Sequence, residues 1–262
     1  MKEIFNIDGK VAIITGGAGL LGERFAKVLA DFGAYVFLAD LDIDKCQKIV
    51  GKLSNDKIQP VALDVTSESD WDSVTRHIFE QHGRIDILVN SAAYTNKTKV
   101  DSFNNTFENT TLDAWNQMLN VNLTGSFLGC QYAAKYMKEN NKGSIINISS
   151  LYGVVSPNHK MYPGTGIVQP VAYTVSKHGI MGLTKYASTW LAESGIRVNS
   201  ITPGGIFDGH SDLFLERFGQ LSPNGRMSRK EELDGALIYL ASDASSSVVG
   251  QNIIVDGGWT VW

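Results

Sequence analysis

Short apolar runs of strand length alternate with longer amphipathic segments along almost the whole of this 262-residue chain. Successive strand–helix–strand units of this kind build a parallel sheet that is covered by helices on both faces. The predicted strands are Val11–Thr15, Ala34–Ala39, Ile58–Leu63, Ile85–Asn90, Ser144–Ser149, Arg197–Ile201 and Asn252–Val255. The predicted helices are Leu20–Phe32, Ile43–Leu53, Glu68–Gln81, Leu112–Lys138, Ala172–Glu193 and Lys230–Ser242. We therefore expect one α/β domain over residues 1–262, with a doubly wound parallel sheet.

Three segments interrupt this alternation, and each follows a predicted strand: Tyr94–Thr111, Leu151–Val171 and Ile206–Arg229. Because the carboxyl ends of parallel strands meet at one edge of the sheet, we expect the three segments to gather there, where open α/β folds bind ligands. The polar character of the first two favours a polar small-molecule substrate, such as a sugar or a nucleotide-linked sugar. His159 has no partner at a useful spacing and is interpreted as a loop residue.

The composition is that of an ordinary globular protein and argues against several other classes. Hydrophobic residues make up 43% of the chain and its net charge is −4, which does not favour a nucleic-acid-binding surface. No apolar run is long enough to span a membrane, and the N-terminal segment lacks the apolar region of a secretory signal, so we expect a cytoplasmic protein. Cys46 and Cys130 have no metal-binding or redox spacing, and we predict no metal site.

A glycine-rich turn follows the first predicted strand and leads into the first predicted helix. It contains the pattern Gly-x-Gly-x-x-Gly between Gly17 and Gly22. Glycines permit a tight turn and a close approach of the backbone to a pyrophosphate, and the helix N-terminus offers N–H groups to that anion. The sequence therefore predicts a Rossmann-like dinucleotide site that includes Gly16, Gly17, Gly19, Leu20, Leu21 and Gly22.

Asp40, at the end of the second strand, favours NAD over NADP as the cofactor. A carboxylate about 20 residues after the glycine turn can bind the adenosine ribose hydroxyls, and it would repel a ribose 2′-phosphate. Neither Gly17 nor Leu41 offers a compensating cation. We assign Asp40 and Leu41 to the cofactor site; the alternative role for Asp40 is an ordinary helix N-cap.

The ends of the third and fourth strands supply further candidate cofactor contacts. Asp64 and Val65 close the third strand, where they could bracket an adenine ring. Asn90, Ser91 and Ala92 close the fourth strand, and the small residues among them would let a cofactor lie against the backbone.

Tyr173 and Lys177 lie one helical turn apart on the same face of a predicted helix. A tyrosine hydroxyl has a pKa near 10 and is a poor base at neutral pH, but a neighbouring ammonium group favours its phenolate form. Lowering the pKa by about three units requires roughly 4 kcal/mol. We therefore expect Lys177 to lower the pKa of Tyr173, so that Tyr173 can exchange a proton with a hydroxyl or carbonyl oxygen.

Together these residues resemble the short-chain dehydrogenase/reductase family, in its single-domain branch, over nearly the whole chain. The resemblance rests on the glycine turn, Asp40, Asp64, Val65, Asn122, Ser150, Tyr173, Lys177, Pro203 and Gly204. It implies that Tyr173 is the general acid/base and that Lys177 lowers its pKa and binds the nicotinamide ribose. It also implies that Ser150 holds the substrate oxygen, with Ser149 as the alternative.

The same resemblance implies roles for residues elsewhere in the chain. Asn122 would position a water molecule in a proton relay, whereas the nearby Asn120 is interpreted as a helix-surface amide. The residues that would contact the nicotinamide end of the cofactor are Pro203, Gly204 and Ile206.

Several features depart from the family pattern. The glycine spacing, with Gly19 followed by Leu20, matches longer family members, many of which act on nucleotide sugars. Asp208 stands where a threonine usually bonds the carboxamide of the cofactor. The segment between Ser150 and Tyr173 is longer than is common in the family, and we expect it to shape the substrate pocket.

These observations favour an NAD-dependent oxidoreductase that interconverts a secondary alcohol and a ketone. A 3-ketoacyl-thioester reductase, which would prefer NADPH, is one alternative. An epimerase or dehydratase that recycles NAD is another, suggested by the glycine spacing. A cofactor-binding regulatory protein without catalytic activity is the third.

A homo-oligomer, either a dimer or a tetramer, is expected from the resemblance and from exposed apolar surface. The helices Leu112–Lys138 and Ala172–Glu193 present more apolar surface than one face of a sheet can cover. The C-terminal residues Trp259–Trp262 are also apolar, and we expect them to be buried at a subunit contact.

Overall fold

A computed structural model describes residues 3–95, 98 and 105–262 of the chain. Seven strands form one sheet in the order β3-β2-β1-β4-β5-β6-β7, and all neighbouring strands are parallel. The strands are β1 (Val11–Thr15), β2 (Tyr35–Asp40), β3 (Ile58–Ala62), β4 (Ile87–Asn90), β5 (Gly143–Ile148), β6 (Ile196–Pro203) and β7 (Asn252–Val255). The seven predicted strands are therefore confirmed, and only their ends are shifted.

Helices connect the strands and cover both faces of the sheet. The α-helices of the described residues are α1 (Leu20–Asp31), α2 (Ile43–Leu53), α3 (Glu68–His82), α4 (Leu112–Leu119), α5 (Gly125–Met137), α6 (Val171–Leu191), α7 (Asp212–Leu221) and α8 (Asp234–Ala241). Short 3₁₀ turns lie at Glu3–Phe5, Phe107–Asn109, Lys138–Asn140, Leu151–Gly153, His159–Met161, Ala192–Ser194, Lys230–Leu233, Asp243–Ser245 and Trp259–Val261. None of the helices in the described part of the chain is both long enough and apolar enough to cross a membrane.

The first strand shows why the sheet is buried on both sides. Successive side chains of a strand point to opposite faces. Ala12 and Ile14 belong to a hydrophobic cluster with side chains of α1, α2 and α8, whereas Val11 and Ile13 belong to a second cluster with side chains of α3, α5 and α6. All four side chains are essentially inaccessible to solvent. The prediction of a Rossmann-like doubly wound α/β fold is thus confirmed.

Two helical predictions were wrong in detail. The predicted helix Leu112–Lys138 is divided by a π-helical turn at Asn120–Thr124, which separates α4 from α5. The segment Ile206–Arg229 contains α7, which the apolar pattern did not predict because the helix buries only Phe214 and Phe218. These two side chains pack on residues of the Leu151–Val171 segment rather than on the sheet.

Candidate active site

A cavity of about 400 Å³ opens at the carboxyl edge of the sheet, beside the point where the strand order reverses between β1 and β4. The predicted site residues that line it are Gly16, Gly19, Leu20, Leu21, Gly22, Ser91, Ser150, Tyr173, Lys177, Pro203, Gly204 and Ile206. The fold therefore brings the glycine turn and the Tyr173/Lys177 pair to one cavity. The other predicted residues lie outside its lining: Gly17, Asp40, Leu41, Asp64, Val65, Asn90, Ala92 and Asn122.

The glycine turn is packed so closely that side chains cannot be added to it. Gly16 has a φ of +67°, and a Cβ there would lie 2.7 Å from the Cα of Ala92. A Cβ on Gly22 would lie 2.2 Å from the carbonyl oxygen of Gly16. The N-cap of α1 is Gly19, which has no side chain to accept from the first N–H groups of the helix. A tight backbone cradle at an uncapped helix N-terminus fits the pyrophosphate of a dinucleotide.

Substituting Gly22 with alanine should weaken dinucleotide binding by at least about tenfold, because the added methyl group must displace the backbone of the turn. Gly182 of α6 is the matched control, since a Cβ there meets no atom within 4 Å. Titration of each variant with NADH, followed by fluorescence, measures the effect. Wild-type affinity in Gly22→Ala would contradict the assignment of the turn.

The carboxylate of Asp40 supports the glycine turn. Its Oδ2 accepts a hydrogen bond from the N–H of Ala18 at 2.9 Å, and its Oδ1 accepts one from the N–H of Asp42 at 3.0 Å. The N-cap of α2 is Asp42, whose side chain accepts from the N–H of Lys45. The alternative role for Asp40 as a helix cap is therefore excluded. Leu41, beside it, is exposed.

Asp64 and Val65 are fixed between β3 and the helices that follow. Asp64 Oδ1 accepts from the backbone N–H of Thr66 at 2.8 Å. The carbonyl oxygen of Val65 accepts from Trp71 Nε1 at 3.0 Å, and the Val65 side chain occupies the space beside Gly125. These contacts give both residues one defined position at the edge of the sheet.

Thr15, which the sequence pattern did not single out, joins the ends of β1 and β4. Its buried hydroxyl accepts from the N–H groups of Ser91 and Ala92, at 3.0 and 3.1 Å. The Asn90 side chain is directed into the interior, where its Nδ2 donates to Asn147 Oδ1 at 2.9 Å. A contact from Asn90 to a cofactor would therefore use its backbone.

Ser150, Tyr173 and Lys177 meet at the other end of the cavity. Lys177 is buried, and its Nζ donates to the carbonyl oxygen of Ile148 at 2.8 Å and lies 5.7 Å from the centroid of the Tyr173 ring. The Ser150 hydroxyl is within hydrogen-bonding reach of Tyr173. The hydroxyl of Ser149 instead donates to the carbonyl oxygen of Lys177 at 3.2 Å. The geometry therefore favours Ser150 over Ser149 as the partner of Tyr173.

The structure does not give Tyr173 the lowered pKa that the sequence predicts, and the effect of Lys177 on that pKa stays a prediction. Burial raises the pKa of Tyr173, and the hydrogen bond with Ser150 opposes that effect only in part. The Lys177 ammonium lies over the face of the Tyr173 ring and donates to the carbonyl oxygen of Ile148. Burial also lowers the pKa of Lys177 to about 8. The buried environment thus favours the protonated hydroxyl of Tyr173.

Asn122 lies in the π-helical turn and links three parts of the site. Its Oδ1 accepts from the N–H of Tyr94 at 2.7 Å, and its Nδ2 donates to the Tyr94 carbonyl at 3.0 Å and to Ser176 Oγ at 3.1 Å. Ser176 Oγ in turn donates to the carbonyl oxygen of Tyr173 at 2.7 Å. Asn120 is exposed, as expected. Asn122 therefore ties the loop after β4 to the helix that carries Tyr173.

The predicted gathering of loops is confirmed for the two later segments. Side chains from them that line the cavity and were not predicted as site residues are Leu151, Tyr152, Tyr162, Gln169, Asp208, His210, Phe214, Phe218 and Met227. The first segment contributes Thr95, and its residues 96, 97 and 99–104 lie outside the described part of the chain. His159 is an exposed loop residue outside the lining. The sequence does contain one signal for α7: Ser211 is its N-cap, and Phe214 and Phe218 follow at a spacing of four residues.

Known proteins resemble this chain over nearly its full length. The family model described as enoyl-(acyl carrier protein) reductase matches residues 17–260. Trans-4-hydroxycyclohexanecarboxylate dehydrogenase of Sinomonas cyclohexanicum is 36% identical, over 96% of this chain and 93% of that protein.

Solved structures agree with the fold. The short-chain dehydrogenase from Leptospira borgpetersenii with bound NAD⁺ superposes with a TM-score of 0.86 at 32% identity, covering 97% of this chain and 94% of that one. A gluconate 5-dehydrogenase from Burkholderia cenocepacia, in complex with NADP and tartrate, has a TM-score of 0.86 at 28% identity, covering 99% of this chain and 98% of that one.

Proposed function

Because this chain belongs to the short-chain dehydrogenase/reductase family, an oxidoreductase family acting on CH–OH and C=O groups, we propose that it uses NAD to interconvert a secondary alcohol and a ketone. The observation that carries the proposal is the meeting of Ser150, Tyr173 and Lys177 in the cavity that also contains the glycine turn. We further propose that residues 1–262 act as one NAD(P)-binding domain.

The nicotinamide cofactor, when bound, accepts or supplies the hydride. The residues that would hold it are Gly16, Gly17, Gly19, Leu20, Leu21, Gly22, Asp40, Leu41, Asp64, Val65, Asn90, Ser91, Ala92, Tyr173, Lys177, Pro203, Gly204 and Ile206. The chain itself supplies orientation and proton transfer.

Proton transfer is assigned to Tyr173. Its raised pKa keeps the hydroxyl protonated, so in the reductive direction Tyr173 can donate a proton to the ketone oxygen while Ser150 donates a hydrogen bond to the same oxygen. In the oxidative direction the phenolate must form first. Lys177, with a pKa of about 8, is mostly charged at neutral pH and supplies positive charge beside the ring. Asn122 is proposed to hold the water that returns the proton to solvent.

The preference for NAD is proposed from Asp40, whose carboxylate lies at the glycine turn. With NAD, kcat/KM should exceed that with NADP by at least about tenfold, since a 2′-phosphate would meet this negative charge. Formation of reduced nicotinamide from cyclic alcohols, polyols, sugars, hydroxysteroids and 3-hydroxyacyl thioesters tests the reaction and the cofactor together. The control is Asp40→Asn, which keeps a side-chain oxygen for the turn and should raise the relative rate with NADP.

Each alternative function predicts a different outcome when this panel of compounds is assayed. A strong NADP preference with 3-hydroxyacyl thioesters would favour the thioester reductase. Conversion of a substrate without net NADH formation would favour an epimerase or dehydratase. Binding of NAD without turnover of any compound would favour a regulatory protein.

The cavity supports a substrate with both polar and apolar parts. Its lining includes the polar side chains of Gln169 and Ser150 and the apolar side chains of Phe214, Phe218 and Met227. The Sinomonas relative is named for a hydroxylated ring and the Burkholderia neighbour for gluconate. We therefore propose a compact hydroxylated ring or sugar derivative, which narrows the polar substrate class expected from the loops.

A homo-oligomer is proposed through the exposed face of α5 and α6. Phe127 is 46% exposed and Trp190 is 69% exposed, and Trp190 stacks on Tyr186 with ring centroids 6.2 Å apart. A contiguous apolar patch of this kind is typical of an interface. Within the chain, Trp259 stacks on Phe218 at 4.3 Å, whereas Val261 and Trp262 are exposed, so the burial of this tail at a subunit contact stays a prediction.

Sedimentation velocity should show a dimer or tetramer at micromolar concentration, and Trp190→Glu should shift it toward monomer because a charge is costly in an apolar contact. Phe32→Glu is the control, since Phe32 is 49% exposed but follows α1, outside the α5–α6 face. A monomeric wild-type protein would contradict the assignment.

A further inference from the structure

Two tyrosine side chains, Tyr152 and Tyr162, hydrogen-bond each other through their hydroxyl groups in the wall of the cavity. Both belong to the long segment between Ser150 and Tyr173, and they are only 6% and 8% exposed. Their rings pack in a hydrophobic cluster with side chains of α7, including Phe214. The Tyr152–Tyr162 pair therefore places two polar oxygens in a largely apolar wall.

The two hydroxyl groups of the pair carry one more hydrogen than the hydrogen bond between them requires. Burial raises the pKa of Tyr152 to about 12 and also raises the pKa of Tyr162, so both groups keep their protons at neutral pH. Two phenols carry two hydroxyl hydrogens, and the bond between them consumes one. Within residues 3–95, 98 and 105–262, the bond between the two phenols is the one hydrogen bond that either hydroxyl makes. The second hydrogen is thus left for an acceptor in the cavity, and a buried donor without an acceptor is costly.

We propose that the Tyr152–Tyr162 pair donates this hydrogen bond to a second oxygen of the substrate, distinct from the oxygen that reacts at Tyr173. Tyr173 lines the same cavity and packs against the hydrophobic cluster that contains the pair. The inference rests on the proposed alcohol–ketone chemistry and narrows its substrate class. The substrate is a secondary alcohol or ketone that carries a further oxygen elsewhere on its carbon skeleton.

The second oxygen is neutral, as in a hydroxyl, ether or carbonyl group. Among the described residues that line the cavity, Lys177 is the one lysine or arginine, and its ammonium is already bonded to Ile148. His210 also lines the cavity, and its Nδ1 accepts from the backbone N–H of Asp208, as a neutral imidazole does. Asp208 lines the same cavity with an acidic side chain. A carboxylate on the substrate would lose hydration at the pair without gaining a cation in return. Two neutral phenols are suited to a neutral acceptor.

The test compares cyclohexanol with the 1,2-, 1,3- and 1,4-cyclohexanediols, which add one hydroxyl at different distances from the reacting carbon. For the wild type, at least one diol should have about a fivefold higher kcat/KM, counted per hydroxyl group, than cyclohexanol, which is the effect of one neutral hydrogen bond. In the double variant Tyr152→Phe/Tyr162→Phe this ratio should fall to about one. The single variants, which keep more of the wall intact, should lie between. Tyr35→Phe, at the start of β2, is the control and should keep the ratio.

Binding of the same alcohols to the complex with NADH, measured by saturation-transfer NMR, separates the two proposals. If the diol advantage in binding depends on the pair but no alcohol is oxidised, the proposed reaction fails while the inference stands. If alcohols are oxidised but no diol is preferred, the inference is overturned. It is also overturned if the double variant keeps the wild-type ratio.

Discussion

Replacing Tyr173 with phenylalanine should lower turnover about 10³-fold while leaving the affinity for NAD unchanged within about threefold. The substitution removes one hydroxyl group and keeps the ring that packs beside the cavity. Ser150 can still bond the substrate oxygen, but the hydroxyl group assigned to proton transfer is lost. Steady-state formation of NADH with the best alcohol of the panel, together with a fluorescence titration of NADH, measures both quantities.

Tyr35→Phe again serves as the matched control, because Tyr35 begins β2 and lies outside the cavity lining. It should retain wild-type turnover. Turnover of Tyr173→Phe within about threefold of the wild type would assign proton transfer to another group. A loss of NAD affinity as large as the loss of turnover would instead indicate that Tyr173 acts mainly by holding the cofactor.

The raised pKa of Tyr173 adds a dependence on pH. Alcohol oxidation requires the phenolate, whose fraction grows as the pH rises toward the pKa, so the oxidation rate should increase through the alkaline range. Ketone reduction requires the protonated hydroxyl and should not increase over the same range. The two rates, measured in the two directions on one enzyme preparation, give this contrast directly.

Replacing Lys177 with methionine should abolish most of the activity and yet stabilise the folded protein at neutral pH. Burial lowers the pKa of Lys177 from 10.5 to about 8, so at pH 7 the fold must hold a desolvated ammonium group. This shift corresponds to a cost on the order of 3 kcal/mol at 1.36 kcal/mol per unit. The variant also loses the hydrogen bond to Ile148, which reduces its gain in stability by about 1 kcal/mol. A net gain of about 2 kcal/mol should raise Tm by about 4 to 8 °C.

The stability gain of Lys177→Met over the wild type should depend on pH. The unfolded chain binds the Lys177 proton up to about pH 10.5, whereas the folded chain releases it near pH 8. Between these values the unfolded state carries more protons, so the wild type gains stability as the pH rises. The advantage of Lys177→Met in thermal unfolding should therefore be largest below pH 8 and shrink toward pH 10.5.

Lys185→Met is the control on the same helix, since Lys185 is exposed and should change stability by less than about 0.5 kcal/mol. If Lys177→Met is less stable than the wild type at pH 7, interactions in the fold stabilise the Lys177 ammonium by more than its burial costs, and the prediction is wrong. Retention of activity in Lys177→Met would remove Lys177 from the proton-transfer group.

Local chemistry made much of the fold and site predictable. Strands such as Val11–Thr15 are apolar runs, and the alternation of runs of strand length with amphipathic segments identified all seven strands. The glycine turn was predictable because the backbone packs so closely at Gly16 and Gly22 that only glycine fits at these positions. By contrast, α7 buries only two side chains on a loop, so its sequence lacks the strong period of a helix that packs on a sheet.

The sequence by itself determined the doubly wound sheet, the glycine turn and the pairing of Tyr173 with Lys177, because each follows from residue types at short spacings. Only the tertiary structure decided the environment of that pair. The pKa of a side chain depends on what surrounds it in space, and here burial raises the pKa of Tyr173, against the hydrogen bond with Ser150, and lowers the pKa of Lys177. The Tyr152–Tyr162 bond likewise joins residues ten positions apart that the folding of one long segment brings together. Chain-local patterns carry no record of such contacts, since they arise only when the segment packs against α7.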